Sequence, residues 1–341
     1  MIIKDKFGRG MRDLRISVTD RCNLRCFYCM PANPVERDGV KYTFLPKNEI
    51  LNFEEITRLG KIFAGLGIKK IRLTGGEPLI RKDMEELISF LAGINGVEDI
   101  ALTTNGCLLH QKARALKDAG LNRLTVSLDS LDDVVFKKIN GREYGVDRVL
   151  MGIKKAENAG FGQLKINAVV RKGINDHTLI DLARHFKGTA HIVRFIEYMD
   201  VGNLNRWDMK HVVPADNIIA KINTVFPLEK VKPNYKGEVA LRYRYKDGSG
   251  EIGIIASVTK PFCTNCTRIR LSTGGKLYTC LFAAQSIDLR NPLRMGAGDN
   301  ELKGIILNAW KNREDRYSEL RNIYTSDQLQ PKKIEMFKIG G

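Results

Sequence analysis

The chain has 341 residues, with 56 Lys and Arg against 39 Asp and Glu and a formal net charge of +17. This length exceeds one typical domain, and the hydrophobic fraction of 43% can support a substantial core. The excess of positive charge indicates an anionic partner without specifying its kind. Because no apolar run resembles a signal segment or approaches membrane-spanning length, we expect a soluble cytoplasmic protein that has no membrane partner.

The cysteines indicate bound metal rather than disulfide bonds. They form two triplets and one single residue, at Cys22, Cys26, Cys29, Cys263, Cys266, Cys280 and Cys107. An odd number in tight groups is unlike the paired cysteines of a secreted disulfide framework. A reducing interior, where thiols stay free to bind metal, fits this pattern better. The single cysteine has no nearby partner in the sequence, and we expect it to be an ordinary thiol.

From residue 12 to about residue 200, short β-rich runs alternate with helical patterns. The predicted strands span residues 13–18, 69–74, 99–103, 123–128, 164–170 and 191–197. The helices predicted between them span residues 53–66, 82–91, 109–119, 146–159 and 177–186. This alternation predicts an α/β fold with a parallel sheet and crossover helices. Six such units fall short of the eight in a closed barrel, so we predict an incomplete, open (β/α)6 barrel.

The first cysteine triplet follows the first predicted strand, with the spacing C-x3-C-x2-C. Cysteine thiolates hold iron–sulfur clusters, and three of them leave one iron of a four-iron cubane open to a ligand from outside the protein. Structural zinc normally takes four protein ligands. The spacing alone therefore favours a cluster but leaves zinc and unrelated thiols open.

A glycine pair ends the second predicted strand, in Thr74-Gly75-Gly76-Glu77-Pro78. Without a Cβ, glycine allows the backbone to approach a ligand closely. Taken alone, this sequence is also that of a generic turn. Its position at the carboxyl end of a strand is where the chemistry of such folds is usually found.

One face of the predicted strands is repeatedly polar. Alternate strand residues point to opposite faces, and the polar set contains Arg15, Ser17, Lys70, Arg72, Thr74, Ser127, Asp129, Lys165, Asn167 and Arg194. Burying isolated cations would be costly. These residues therefore either face solvent or line a wet lumen that receives an anionic ligand.

Beyond residue 200 the alternation stops, and residues 237–258 favour antiparallel strands with a turn at 246–250. The second cysteine triplet follows, with its last member across a predicted hairpin at Gly274-Gly275. It could hold zinc, completed by His191 or His211, or a second cluster with one open iron. Arg268 and Arg270 share a strand face beside the triplet, in an arrangement suited to phosphate or a nucleotide.

Tyr28 precedes the last cysteine of the first triplet, and this loop resembles the signature of the radical S-adenosylmethionine (SAM) enzymes. More narrowly, the chain resembles the GTP 3′,8-cyclases, the MoaA family of molybdenum cofactor biosynthesis. The matching stretches are residues 13–22, 29–31, 72–78, 102–106 and 194–202, the second triplet with its arginines, and the terminal Gly340-Gly341. The resemblance covers nearly the whole chain.

The resemblance implies a lyase with two [4Fe-4S] clusters, one on each triplet, and SAM on the open iron of the first. It places SAM beside four residues, Tyr28, Gly76, Ser127 and Met199. It places GTP beside eight, Arg15, Lys70, Arg72, Thr103, Lys165, Arg194, Arg268 and Arg270. A deoxyadenosyl radical would take hydrogen from C3′ of the ribose, and attack on C8 would give 3′,8-cyclo-7,8-dihydro-GTP. The last two arginines and the tail residues Gly340 and Gly341 would be catalytic, the tail by promoting SAM cleavage.

The same resemblance implies a division of the chain and a set of partners. Residues 12–225 would form the partial barrel, and residues 226–341 a region that closes it and carries the second cluster. A low-potential electron donor and a downstream cyclic pyranopterin monophosphate synthase would be partners, nucleic acid would not, and a homodimer is left open. Two other readings remain at this point: a radical SAM enzyme that acts on peptide or tRNA, and a non-catalytic zinc module that binds nucleic acid.

Overall fold

The computed structural model of the chain describes residues 3–30, 44–235, 237–326 and 333–341. Its strands, β1 to β12 in chain order, are Asp13–Ser17, Lys70–Thr74, Asp99–Thr104, Arg123–Ser127, Lys165–Val170, Ile192–Glu197, Leu228–Val231, Leu241–Tyr245, Glu251–Ile255, Arg268–Leu271, Lys276–Tyr278 and Ile287–Asp288. Its helices, α1 to α11, are Phe53–Gly65, Met84–Ala92, Leu109–Asp118, Asp133–Asn140, Val146–Asn158, Leu179–Phe186, Ala215–Asn223, Arg290–Arg294, Asp299–Lys311, Tyr317–Ser326 and Met336–Ile339.

The strands form one mixed sheet in the order β12-β11-β10-β1-β2-β3-β4-β5-β6-β9-β8-β7. Strands β1 to β6 are parallel neighbours, and helices α1 to α6 connect them. The predicted strands and the helices predicted between them are confirmed to within two residues at each end. Helix α4 was not predicted. Its start carries a recognisable signal, because the side chain of Asp132 accepts hydrogen bonds from Val134 N and Val135 N.

Two strands from the second half of the chain extend the parallel part of the sheet. Strand β9 lies parallel to β6, and β10 lies parallel to β1, so that eight neighbouring strands run in one direction. The predicted antiparallel pairing in residues 237–258 is confirmed, since β8 and β9 form a hairpin. The pairing of β10 with β1 and of β9 with β6 was not predicted from the sequence.

The alternation along the strands gives the sheet one apolar and one polar face. On β1, Leu14 and Ile16 are buried, and Ile71 and Leu73 on β2 lie beside them in register. These residues pack against the apolar positions of the helices, such as Leu59 on α1, in one continuous core. The polar residues of the other parity therefore lie on the face turned away from this core.

In the described part of the chain, no helix combines the length and the apolar character needed to cross a bilayer.

Candidate functional site

A single cavity of about 420 Å³ lies at the polar face of the sheet, and both cysteine triplets line it. Six cysteines contribute to its wall, Cys22, Cys26, Cys29, Cys263, Cys266 and Cys280. The two triplets are far apart in sequence but share one chamber in the fold. The buried single cysteine, Cys107, does not line it.

The glycine pair after β2 holds the first cysteine loop. Gly76 N donates to Thr19 O at 2.7 Å, and Glu77 N donates to Arg21 O at 2.8 Å. A Cβ on Gly76 would overlap Arg21 O. The absence of a Cβ at Gly76 is therefore required for packing against the cysteine loop. From the sequence, we had expected it to allow close approach to a ligand. Gly76 also lines the cavity, so that its backbone is accessible from inside.

The end of α4 supports the same loop from the other side. Arg25 N donates to Asn140 O at 2.7 Å, and Gly141 follows with a φ of +60°. A Cβ on Gly141 would lie 2.5 Å from Arg25 O, so only glycine fits this position without displacement. The helix missed from the sequence thus helps to place the first triplet.

Tyr28 is fixed by a buried carboxylate. Its hydroxyl donates to Asp129 Oδ2 at 2.7 Å, while Asp129 Oδ1 accepts a hydrogen bond from Val169 N at 2.8 Å. Burial raises the pKa of Asp129 to about 6, although the hydrogen bond from Tyr28 works in the opposite direction. The pair connects the cysteine loop to β5 and to the end of β4.

The first triplet presents thiols that burial keeps protonated in the absence of a bound cation. Burial raises the pKa of Cys22 to about 11 and raises the pKa values of Cys26 and Cys29 as well. A metal cluster would supply the positive charge that favours their thiolates, so this set of donors fits one. Among the described residues, no group of three or more His, Cys, Asp or Glu side chains is arranged to hold a single metal ion.

The second triplet differs from the first in its electrostatics. Burial alone would raise the pKa of Cys266, but the charges of Arg268 and Arg313 and the hydrogen bonds from Arg268 lower it to about 6. Arg313 Nη2 donates to Cys266 Sγ at 3.3 Å. Burial, with Asp315 nearby, raises the pKa of Cys280 to about 12. The neighbouring arginines therefore favour the thiolate form of Cys266 even without a bound metal.

The histidines considered as zinc ligands do not accompany the second triplet. His191 Nδ1 accepts a hydrogen bond from Leu164 N, and His191 Nε2 lies 2.9 Å from Glu157 Oε1. Among the described residues that line the cavity, neither His191 nor His211 occurs. This counts against zinc completed by either of them.

The structure places all of the cations on the polar strand face in this cavity. They are brought side by side by the register, which pairs Arg15 with both Arg72 and Arg270. The residues named from the sequence as GTP contacts all line it, Arg15, Lys70, Arg72, Thr103, Lys165, Arg194, Arg268 and Arg270. Of the two alternatives for the polar face, this arrangement supports a lumen rather than an outer surface.

Two of these cations donate hydrogen bonds to neutral side chains. Arg72 Nη1 donates to Thr103 Oγ1 and Thr125 Oγ1, each at 3.1 Å, and Arg194 Nε donates to Asn167 Oδ1 at 2.9 Å. Burial, followed by repulsion from neighbouring arginines, lowers the pKa of Lys165 to about 8 and that of Arg194 to about 9. An anionic ligand would relieve this repulsion.

The C-terminal tail enters the cavity. Gly341 lines it, and Gly340 O accepts a hydrogen bond from Arg270 Nη1. Before them, Phe337 and Ile339 of α11 are fully buried and hold the tail against the fold. Gly340 has a φ of +70°, and a Cβ there would overlap Thr74 Cγ2. The tail therefore passes at a point where only glycine fits.

A buried carboxylate ties the loop after β6 to the same tail. Asp200, which follows Met199, accepts hydrogen bonds from Arg321 Nε at 2.9 Å, from Lys333 Nζ at 2.7 Å and from the hydroxyl of Tyr317. Burial tends to raise the pKa of Asp200, but the charges of Arg321 and Lys333 lower it. This cluster could not be predicted from the sequence, because Tyr317, Arg321 and Lys333 lie more than a hundred residues from Asp200.

We expect Asp200→Asn to destabilise the fold by roughly 3–5 kcal/mol, since it leaves two buried cations without their counter-charge. Denaturant unfolding of the metal-free protein measures this effect. Asp216→Asn is the matched control, because Asp216 pairs with Lys260 at the exposed surface. Equal unfolding midpoints for the two variants would contradict the expectation.

Two family models match successive parts of the chain. The radical SAM superfamily model matches residues 16–186, and the model described as Molybdenum Cofactor Synthesis C matches residues 191–319. Together they span both cysteine triplets and nearly all of the cavity wall.

Relatives with the name GTP 3′,8-cyclase match over almost the whole chain. The protein from Acidothermus cellulolyticus is 53% identical over 94% of this chain and 88% of its own length. Those from Staphylococcus epidermidis and Staphylococcus aureus are 48% and 49% identical, over 100% and 99% of this chain and 99% of their own lengths. Among solved structures, methylornithine synthase matches with a TM-score of 0.48 and 18% identity, over 64% of this chain and 63% of that one.

Proposed function

The chain belongs to the GTP 3′,8-cyclase family of radical SAM enzymes, and on this basis we propose which residues of its cavity bind the clusters, SAM and GTP. The reaction converts GTP to 3′,8-cyclo-7,8-dihydro-GTP, the first step of molybdenum cofactor biosynthesis. The observation that carries the proposal is the single cavity lined by both cysteine triplets and by the row of cations. A substrate held there would lie between two metal sites.

Cys22, Cys26 and Cys29 would hold a [4Fe-4S] cluster, with SAM bound beside it. When bound, this pair supplies the 5′-deoxyadenosyl radical that takes hydrogen from C3′ of the GTP ribose. Four residues that line the cavity would contact SAM, Tyr28, Gly76, Ser127 and Met199. Asp129 keeps Tyr28 in position through their 2.7 Å hydrogen bond.

Cys263, Cys266 and Cys280 would hold another [4Fe-4S] cluster, which would supply a binding position for the guanine of GTP. The absence of a histidine among the described cavity residues supports this over zinc completed by His191 or His211. The cations on the strand face bind the triphosphate, which carries roughly four negative charges. Arg268 and Arg270 lie between the triplet and the tail, where Arg270 holds Gly340 O.

The eight parallel strands form an incomplete barrel around this cavity, to which residues 12–225 and 226–341 both contribute. The second part extends this barrel at both ends, because it supplies β10 beside β1 and β9 beside β6. We place the protein in the cytoplasm, with a low-potential electron donor and a cyclic pyranopterin monophosphate synthase as partners. A homodimer is compatible with this function.

The decisive experiment is anaerobic incubation of the reconstituted protein with GTP, SAM and dithionite. We expect 5′-deoxyadenosine and a cyclised nucleotide, together with about eight irons per chain from two four-iron clusters. Formation of 5′-deoxyadenosine only with a peptide or tRNA would favour the alternative radical SAM reaction. Zinc without acid-labile sulfide, and steeply salt-dependent binding of nucleic acid, would favour the zinc module.

We expect GTP affinity to fall as the pH rises above about 8. Lys165 has its pKa lowered to about 8, first by burial and then by its cationic neighbours. A bound triphosphate favours the charged lysine, so the complex binds more protons than the free protein above that pH. The affinity should then fall by up to about tenfold per pH unit, as measured by calorimetric titration of GTP.

A Lys165→Arg variant serves as the control, because arginine keeps its charge to higher pH. We expect its pH dependence near pH 8 to be weaker. Without GTP, the stability of the fold changes with pH in the opposite direction. The pKa of Lys165 in the folded state, about 8, lies below the unfolded value of 10.5. The stability that Lys165 contributes therefore rises between about pH 8 and 10.5. A GTP affinity that stays constant from pH 7 to 9.5 would contradict the assignment of Lys165 to the triphosphate.

A further inference from the structure

The N-terminal segment, residues 3–11, packs beside the second cysteine triplet through buried charges. It folds back on itself by a bridge between Lys4 and Gly10. Arg9 Nε donates to Asp5 Oδ2 at 2.6 Å, and Arg313 Nη1 lies 3.4 Å from the same oxygen. Asp5, Arg9 and Arg313, which we call the charge network, are only 7%, 4% and 3% exposed.

The charge network contacts two of the three cysteines of the second triplet. Arg9 Nη1 donates to Cys263 O at 3.0 Å, and Arg313 Nη1 donates to Cys266 O at 2.9 Å. Arg313 Nη2 donates directly to Cys266 Sγ at 3.3 Å. The backbone of both residues and the sulfur of one are therefore held by guanidinium groups that do not belong to the triplet's own loop.

Arg313 places positive charge directly at Cys266. Arg9 and Arg313 share the carboxylate of Asp5, and Arg313 Nε also lies 3.4 Å from Asp315 Oδ2, while Arg313 Nη2 donates to Cys266 Sγ. A buried cation is costly unless it meets an opposite charge, and a thiolate or an iron–sulfur cluster supplies one. Hydrogen bonds and positive charge at a ligating sulfur favour the reduced, more negative form of such a cluster.

Arg313 is further held by the neighbouring helix. Its guanidinium carbon lies 4.6 Å from the centre of the Trp310 ring, and Trp310 Nε1 donates to Arg9 O at 3.1 Å. These contacts fix the direction of the side chain before any ligand is bound. The side chain of Arg313 is thus already oriented toward Cys266 in the free protein. The first triplet differs, because in the described contacts no arginine side chain donates to a sulfur of Cys22, Cys26 or Cys29.

We propose that Arg313 is a positioning residue of the second iron–sulfur site, which orients Cys266 and stabilises the reduced form of the bound cluster, and that Asp5 of the N-terminal segment holds Arg313 in place. This inference rests on the proposed function, because it requires a cluster on the second triplet. It makes the first residues of the chain part of a metal site more than 250 residues away in sequence.

The test uses a full-length variant in which Cys22, Cys26 and Cys29 are all replaced by serine, so that only the second triplet can carry iron. After anaerobic reconstitution we expect about four irons per chain. The midpoint potential is then measured by a redox titration followed by electron paramagnetic resonance. In this background, Arg313→Gln should shift the potential to a more negative value, and Arg313→Lys should shift it less.

Arg316→Gln is the matched control. It removes the same charge three residues away, from an exposed side chain that stacks on Phe7. We expect it to keep the parent potential. Arg313→Gln leaves the buried Asp5–Arg9 pair intact. Arg313→Lys, which also keeps the positive charge, is the second variant in case Arg313→Gln does not fold.

A negative shift in Arg313→Gln, or a smaller one in Arg313→Lys, with Arg316→Gln unchanged, supports the proposal. The parent potential in a loaded Arg313→Gln protein overturns it and leaves the proposed function standing. A parent protein that binds no iron and sulfide overturns the second cluster as well. Loss of iron from Arg313→Gln together with easier unfolding of the metal-free chain would assign the network to folding, which also overturns the proposal.

Discussion

Replacing Gly340 with alanine is expected to abolish turnover while the fold and both cysteine sites remain intact. Gly340 has a φ of +70°, and an added Cβ would overlap the Cγ2 of Thr74, a buried residue at the end of β2. The tail would have to withdraw, which breaks the hydrogen bond from Arg270 to Gly340 O and removes Gly341 from the cavity. Displacing a group at an active site by about 1 Å can cost about a hundredfold in rate, so we expect at least that loss.

The measurement is anaerobic formation of 5′-deoxyadenosine and cyclised nucleotide, with iron content and circular dichroism as checks. Gly296→Ala is the matched control, because Gly296 has a similar φ of +88° but no atom within 4 Å of an added Cβ. Adding Thr74→Ser, which removes Cγ2, should restore part of the activity to Gly340→Ala. Deletion of residues 340 and 341 should reproduce the loss, and full activity in the deleted protein would refute the role of the tail.

Replacing Arg194 or Arg72 with alanine is expected to weaken GTP binding by roughly ten- to a hundredfold, the effect of losing one charge-assisted hydrogen bond to a phosphate. Both side chains line the cavity, and each is held by neutral partners, Asn167 for Arg194 and two threonines for Arg72. Nothing else in their described hydrogen bonds competes with an anion for their remaining donors.

The same variants should fold at least as well as the parent protein without GTP. Burial, and then repulsion from Arg72, lowers the pKa of Arg194 to about 9, so removing either arginine relieves an unfavourable interaction. When both are measured on one preparation, the affinity for GTP should therefore fall, while the thermal unfolding temperature should stay the same or rise. Arg184→Ala is the control, since Arg184 forms an exposed pair with Asp181. An unchanged GTP affinity in Arg72→Ala and Arg194→Ala would contradict the triphosphate assignment.

Periodicity along the chain was sufficient to predict the first six strands and the polar face of the sheet. Apolar residues such as Leu14 and Ile16 must face the helices, so Arg15 between them must face away. Because this alternation is local, the sequence alone identifies the cations of the polar strand face. Their roles toward GTP and SAM came from the resemblance to a family, and they stay predictions.

Other parts of the site could not be predicted because their partners lie far apart in sequence. The residues of Glu251–Ile255 and Arg268–Leu271 carry no local sequence signal that one strand pairs with β6 and the other with β1. Likewise, a single Asp200 or Arg313 is an ordinary charged residue until the fold brings Lys333 or Cys266 beside it. Helix α4 was missed for a different reason, since the Asp132 cap was present in the sequence but not used.

Because β1 pairs with β10, the sheet cannot be completed until most of the chain has been synthesised. Until Arg268–Leu271 has been made, β1 has a free edge, and β6 has one until Glu251–Ile255 arrives. Free edges of parallel strands are templates for aggregation, and pairing over such separations is slow. A nascent or truncated chain that ends near residue 225 would therefore expose both edges at once, and it should need a chaperone or its missing portion, added in trans, to stay in solution.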